Sequence, residues 1–182
     1  RYREALTGAT RALSDLKSQG VIAGYGLGLD DHDMAERFLS DADYDVILLA
    51  GRYSLLEQPA LSGLMPKAQA AGTALILGGV FNSGILATGA IAGAKYNYET
   101  APDDIMDRVA RIEAVCAAHS VLLPHAAVQF ALAHPAVASV VLGGVHPSEV
   151  SRNLAALKTD IPTALWSDLK TESLLESDAP TP

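Results

Sequence analysis

Thr73–Val80, TALILGGV, and Val137–Val145, VASVVLGGV, are apolar runs that close on the same tetrapeptide, Leu-Gly-Gly-Val. Each has the length and the glycine punctuation of a buried strand. Two more runs share that character, Val21–Gly28 (VIAGYGLG) and Tyr44–Gly51 (YDVILLAG). Helical patterns follow each strand. They are DDHDMAERFLSD at 30–41, LSGLMPKAQAAG at 61–72, Asp103–His119 with Pro124–Pro135, and PSEVSRNLAAL at 147–157. Leu6, Ala9, Leu13 and Leu16 recur at helical spacing, so residues 1–20 read as a leading helix stopped at Gly20. A kink is expected at Pro66, a long glycine-rich loop through 87–102, and an amphipathic segment from Pro162. The tail, 171–182, is expected to fray.

The chain is thus a helix followed by four strand–helix units, with strands apolar on both faces, as in a parallel sheet covered by helices. Four such units make either a small doubly wound sheet or half of an eight-fold barrel. The strands carry no internal charge or proline to blunt an open edge. The chain also opens inside a helix, with no initiator Met and no leading strand. Both features favour the α/β (β/α)8 (TIM) barrel. Residues 1–182 would then supply about its last four βα units plus a C-terminal helix, 1–20 being the helix before the fifth barrel strand.

At 182 residues the chain fits one domain. The formal charge of -8 argues against a nucleic-acid partner, which needs a basic stripe. The single cysteine, Cys116, excludes an internal disulfide and shares the helical spacing of Ile105, Val109 and Ile112, which places it in the core. No Cys/His cluster has zinc spacing, no apolar run reaches the roughly twenty residues of a membrane span, and no signal peptide is visible. A cytoplasmic protein with no metal and no membrane partner is the expectation.

The Gly-Gly corners have two readings. Glycine ends a strand where packing is tight, or it lets backbone N–H groups approach an anion at the C-terminal face of a barrel. Ser83 and Gly84 add a hydroxyl and a flexible backbone at the first corner, and Gly143 and Gly144 feed a helix at the second. Other motifs are weaker. GYGLGL has Leu29 where a dinucleotide fingerprint needs its third glycine, and Ser83 in FNSGI is not in a nucleophile elbow. Asp30, Asp31, His32 and Asp33 read as a helix cap before a metal site. His119, His125 and His134 fall at helix ends, and Lys95-Tyr96 reads as surface recognition. By residue type the chain offers an anion-binding face and no catalytic group.

The stretches ALSDLKSQGVIAGYGLG, YDVILLAGRYSLLEQ, GGVFNSGILATG, AGAKYNYE and RIEAVCAAHSVLLPHAAVQFALAHPAVASVVLGG resemble the second half of an aldo-keto reductase. They are most similar to the sugar-dehydrogenase branch acting on L-fucose or D-threo-aldoses, which also includes a pyridoxal dehydrogenase. The resemblance implies an eight-stranded barrel that uses NAD or NADP and a small-molecule substrate. Hydride would pass between the nicotinamide and a carbonyl or alcohol carbon. The family's catalytic Asp, Tyr, Lys and His lie on its first four strands. The expectation is therefore that they precede Arg1, that an N-terminal half completes the barrel, and that this half alone transfers no hydride.

Carried over residue by residue, Ser83 and Gly84, with Asn82 beside them, match the pyrophosphate loop. Gly143 and Gly144 match the corner for the adenosine phosphate, and Asn153 an adenine contact. Glu149 stands where NADP-preferring members have an Arg, which favours NAD. Asp30 falls near a carboxamide-holding Asn, while Gly78 and Ala50 replace an aromatic and a Gln that contact nicotinamide. Arg52 and Tyr53 fall on the functional face by strand position, as substrate-side residues. A non-catalytic nucleotide-binding barrel, and another phosphate-handling barrel enzyme such as an isomerase, stand as alternatives.

Overall fold

Ile47 and Leu49 of one strand and Leu75 and Leu77 of the next are buried on the same side of a sheet, and their packing organises the chain. The computed structural model describes residues 1–182. Its main sheet contains β1 (Gly26–Leu29), β2 (Val46–Ala50), β3 (Ala74–Gly78) and β6 (Val137–Val140), all parallel and in the order β1-β2-β3-β6. Val46 pairs with Gly26 and Ala74, and Ala50 with Gly78, so neighbouring strands end at the same level. A two-stranded hairpin, β4 (Lys95–Tyr96) and β5 (Glu99–Thr100), stands apart from this sheet. Its tip residues Asn97 and Tyr98 both have positive φ, as a tight two-residue hairpin turn demands.

Helical residues run from Tyr2–Glu4 through a π-helical Ala5–Thr10 into α1 (Arg11–Ser18). The others are α2 (His32–Asp41), α3 (Leu64–Ala71), the single turn α4 (Ile85–Thr88) and α5 (Asp103–Ala118). α6 (Leu123–Ala133), α7 (Pro147–Ala156) and α8 (Thr163–Thr171) complete the set. Helices cover one face only. Ile47, Leu49, Leu75 and Leu77 join Ala35 of α2, Leu64 and Ala68 of α3, and Phe130 of α6 in one core cluster. Burying a side chain of this size contributes roughly 1.5–3 kcal/mol each. The alternate residues point the other way, and Leu48 is 37% exposed. Helices on one face and apolar residues on the other are what the expected barrel requires, since in a (β/α)8 barrel the second apolar face lines the interior.

Three expectations shift. β1 begins at Gly26 rather than Val21: its first register pair is Gly26 with Val46, and before it the Tyr25 N–H turns to the Asp45 carboxylate, at 2.9 Å, instead of a strand carbonyl. Pro66 sits in the first turn of α3, where its missing N–H leaves no helix bond unmade, and so it marks a start rather than a kink. The tail is packed rather than frayed. Leu174, Leu175 and Ala179 are buried, Arg108 Nη2 donates to the Leu174 carbonyl at 2.7 Å, and Lys170 Nζ donates to that of Ala179 at 2.8 Å. Cys116 is in the core as expected, and burial pushes its thiol up to about 12. No single helix is long and apolar enough to cross a membrane.

His134, between α6 and β6, is buried edge-on to Tyr53, and its Nδ1 accepts the Ala136 N–H at 3.1 Å. Burial holds its imidazole below the ordinary 6.5. The unfolded chain therefore binds more protons below that value, so the His134 contribution is fully present above about pH 6.5 and is lost as pH falls towards the folded value. Urea midpoints are expected to drop between about pH 7 and pH 5, and His134→Gln should flatten that slope. An unchanged slope in the variant would show that another group carries it.

Candidate functional site

The chain corners after β3 and β6 emerge side by side, because Leu77 pairs with Val140 on adjacent parallel strands. At the first corner Gly51 donates its N–H to the Gly78 carbonyl at 2.9 Å, closing the ends of β2 and β3 together. Gly79 has φ +64°, and a Cβ there would lie 3.1 Å from the Gly51 nitrogen. Glycine is required at this position by both conformation and space. Asn82 (φ 46°), Ser83 (φ 59°) and Gly84 (φ 100°) then follow in succession, all left-handed. Two non-glycine residues in that region store strain that the surroundings must hold in place.

The holding groups are visible. Asn82 is buried, with its Oδ1 accepting from Ser54 Oγ at 2.6 Å and its Nδ2 donating to Glu57 Oε2 at 2.8 Å. Tyr96, on the hairpin, donates its hydroxyl to the other carboxylate oxygen, Glu57 Oε1. Ser83 is exposed, and its Oγ accepts the Tyr98 N–H at 3.0 Å. The Ser83 N–H makes no hydrogen bond within the chain.

The second corner is open. Nothing lies within 4 Å of a Cβ placed on Gly143, and the N–H groups of Gly143 and Gly144 are unbonded within the chain. α7 begins here with Pro147 in its first turn. Glu149 reaches back so that its Oε2 accepts the Val145 N–H at 2.8 Å. That bond above all, then the N–H and charge of His146 and the charge of Arg152, hold the carboxyl below its ordinary value. Asn153 Nδ2 donates to the Gly143 carbonyl at 3.4 Å, tying α7 to the corner.

The structure therefore brings Ser83, Gly84, Gly143, Gly144, Glu149 and Asn153 to one end of the sheet, with Asp30 and Arg52 at the ends of β1 and β2. Arg52 Nε donates to the Asp30 carbonyl at 2.7 Å, so the guanidinium joins those two strand ends. Asp31 caps α2 by accepting the Met34 N–H at 2.9 Å. Gly78 and Ala50 are register partners on the open face. Two side chains are redirected. Tyr53 is 1% exposed and stacks on Phe130 with centroids 5.1 Å apart, so it is a core residue and not a substrate-side one. Asn82 spends its amide on Ser54 and Glu57 and shapes the loop from beneath.

Sequence reasoning passed over Ser54 and Glu57. Their signal was a serine and a glutamate flanking the apolar pair Leu55-Leu56 in RYSLLEQ. Lys95-Tyr96, expected as surface recognition, instead supplies the Tyr96 bond to Glu57.

The two corners differ in what glycine does, and a paired substitution separates them. Gly79→Ala should cost about 1–3 kcal/mol in chemical denaturation. Gly143→Ala, in open space at negative φ, should stay within about 0.5 kcal/mol. Equal losses would mean that the second corner is also steric.

Comparison with known proteins bears on the family and the fold. The Aldo/keto reductase family matches residues 3–171. The chain is 40% identical over 168 residues to a pyridoxal 4-dehydrogenase of Microbacterium luteolum, covering 92% of this chain and 49% of the relative. It is 39% identical over 179 residues to a D-threo-aldose 1-dehydrogenase of Pseudomonas sp, covering 98% and 53%. The chain spans about half the length of the curated relatives it matches. Among solved structures, the holo form of an aldo-keto reductase from Bacillus halodurans superposes with TM-score 0.71 at 23% identity, over 93% of this chain and 56% of that one. The four-stranded parallel sheet with helices on one face is accordingly part of a (β/α)8 barrel, and the chain belongs to the aldo/keto reductase family.

Proposed function

We propose that this chain is the cofactor-holding half of an NAD(P)-dependent oxidoreductase acting on a sugar, such as an aldose of the L-fucose kind, or on a related aldehyde or alcohol. The observation that carries this reading is the pair of corners after β3 and β6, which present the unbonded N–H groups of Ser83, Gly143 and Gly144 at one end of the sheet. Exposed backbone donors beside flexible chain are the chemistry a pyrophosphate needs, so the residues present fit a dinucleotide. Ser83 and Gly84 would hold the pyrophosphate. Gly143 and Gly144 would face the adenosine phosphate, and Asn153 the adenine. Asp30 and Arg52 would border the nicotinamide and substrate side. A dinucleotide held by these residues would supply the hydride chemistry at a substrate carbon.

The proton-transfer groups would come from the other half of the barrel. On this face Tyr96 is bound to Glu57, and Glu149 to a backbone N–H. Both relatives named above are dehydrogenases of small molecules and are about twice as long as the matched region. This supports a barrel in which an N-terminal half contributes the reacting groups.

Glu149 supports NAD over NADP. Its depressed pKa keeps it ionised from well below neutral pH upward. A carboxylate at the start of α7 would repel a 2′-phosphate and can accept from ribose hydroxyls.

Two measurements test the reading. Titration of the intact barrel protein with NAD, followed by intrinsic fluorescence, should show saturable binding, and turnover of L-fucose or D-threo-aldoses should require it. Absence of any dinucleotide binding would overturn the proposal. Separately, Glu149→Arg should shift the NADP/NAD affinity ratio by about tenfold or more toward NADP, some 1.4 kcal/mol of differential binding. An unchanged ratio would show that Glu149 serves only to cap α7.

A further inference from the structure

The two loops at the first corner are tied to each other at two places. Glu57 Oε2 accepts from Asn82 Nδ2 at 2.8 Å, and Glu57 Oε1 accepts from the Tyr96 hydroxyl. On the far side Ser83 Oγ accepts the Tyr98 N–H at 3.0 Å. Asn82 and Ser83 are consecutive in one loop, and Tyr96 and Tyr98 belong to the hairpin. One carboxylate thus anchors both segments, each of which contains non-glycine residues of positive φ: Asn82 and Ser83 in one, Asn97 and Tyr98 in the other.

The anchor is itself rigid. Ser54 N–H donates to the Glu57 carbonyl at 2.7 Å, and Ser54 Oγ receives the Glu57 N–H at 3.2 Å. The same hydroxyl donates to Asn82 Oδ1 at 2.6 Å. Burial first, then the bond to Glu57, pushes the Tyr96 phenol up to about 12, so it is a neutral donor near neutral pH. A carboxylate taking two neutral donors forms charge-assisted hydrogen bonds, stronger than neutral ones.

Resting on the dinucleotide reading above, we infer that Glu57 is a positioning residue: it buckles the Asn82–Gly84 loop to the Lys95–Thr100 hairpin, presetting Ser83 for the pyrophosphate without touching it. Strained conformations persist only where the surroundings over-determine them, and Glu57 joins both strained segments through its own side chain.

Charge alone and positioning predict opposite signs. Glu57→Gln removes a negative charge near an anion site, so a purely electrostatic role makes dinucleotide binding tighter. A positioning role makes it weaker, because the amide can accept from only one of the two donors.

The experiment uses the intact protein with Glu57→Gln and, separately, Tyr96→Phe, which deletes one strut and leaves the carboxylate. Without ligand, amide hydrogen exchange at Asn82, Gly84 and Tyr98 should accelerate by about tenfold, the equivalent of one lost hydrogen bond, with Leu49 and Leu75 unchanged. With NAD, KM should rise by about the same factor in both variants while kcat holds within about twofold. Unaltered exchange in both loops, or tighter NAD binding by Glu57→Gln, would overturn the inference. Should the wild-type protein bind no dinucleotide, the proposed function fails, and the ligand-free exchange still decides whether Glu57 buckles the loops.

Discussion

One-sided burial of the parallel sheet is the constraint on which the rest of the structure depends. Ile47, Leu49, Leu75 and Leu77 face α2, α3 and α6 within a single cluster. A shift of one residue in any strand would turn these side chains out of that layer and bring Leu48 or Ile76 in. The register that satisfies burial also places Ala50 beside Gly78 and brings the chain out of β3 and β6 at one level. The gathering of the loops after β2, β3 and β6 at one end of the sheet is therefore a consequence of packing, and no loop has to find its neighbour independently.

From that scaffold the two corners take different routes to a similar surface. After β3 the backbone turns through left-handed residues held by the turn's own backbone bonds and by side-chain bonds from Ser54, Glu57 and Tyr96. After β6 a short loop, 141–146, leads into α7. Its first-turn proline and the returning Glu149 carboxylate settle the helix start by ordinary capping chemistry. The first corner is preset by a polar network, the second by the local rules of a helix N-terminus.

Much of this was legible in the sequence. Four apolar runs with glycine ends announced the parallel strands, and Gly72, Pro147 and Asp31 marked helix boundaries that the structure shows where expected. The first corner could be located, because three glycines and a serine in GGVFNSG leave few other readings. What could not be read was direction. Tyr53 follows β2 as a functional-face residue would, yet it turns inward because Phe130 and His134, some eighty residues away, offer an aromatic pocket. The tail looked frayed because its polar residues dominate locally, while Arg108, which binds the Leu174 carbonyl, and the core that buries the Leu174 side chain lie on distant elements. Glu57 was invisible for the same reason: its partners come from two loops, 25 and 39 residues further on.

Glu57 and Glu149 are carboxylates at the two corners that present the backbone donors of Ser83, Gly143 and Gly144, and their partners account for how both are accommodated. Glu149 lies against the N–H groups that open α7, where negative charge is favoured by the helix dipole. Glu57 is saturated by an amide and a phenol, neither of which adds charge. Each acid is therefore fixed in place, which lets it organise backbone while leaving the donors of Ser83, Gly143 and Gly144 unclaimed. An untethered carboxylate in either position would compete for those donors. The strained Asn82–Ser83 turn and the capped start of α7 are thus two solutions to one physical problem: keeping backbone N–H groups exposed and oriented where unsatisfied donors tend to find a partner.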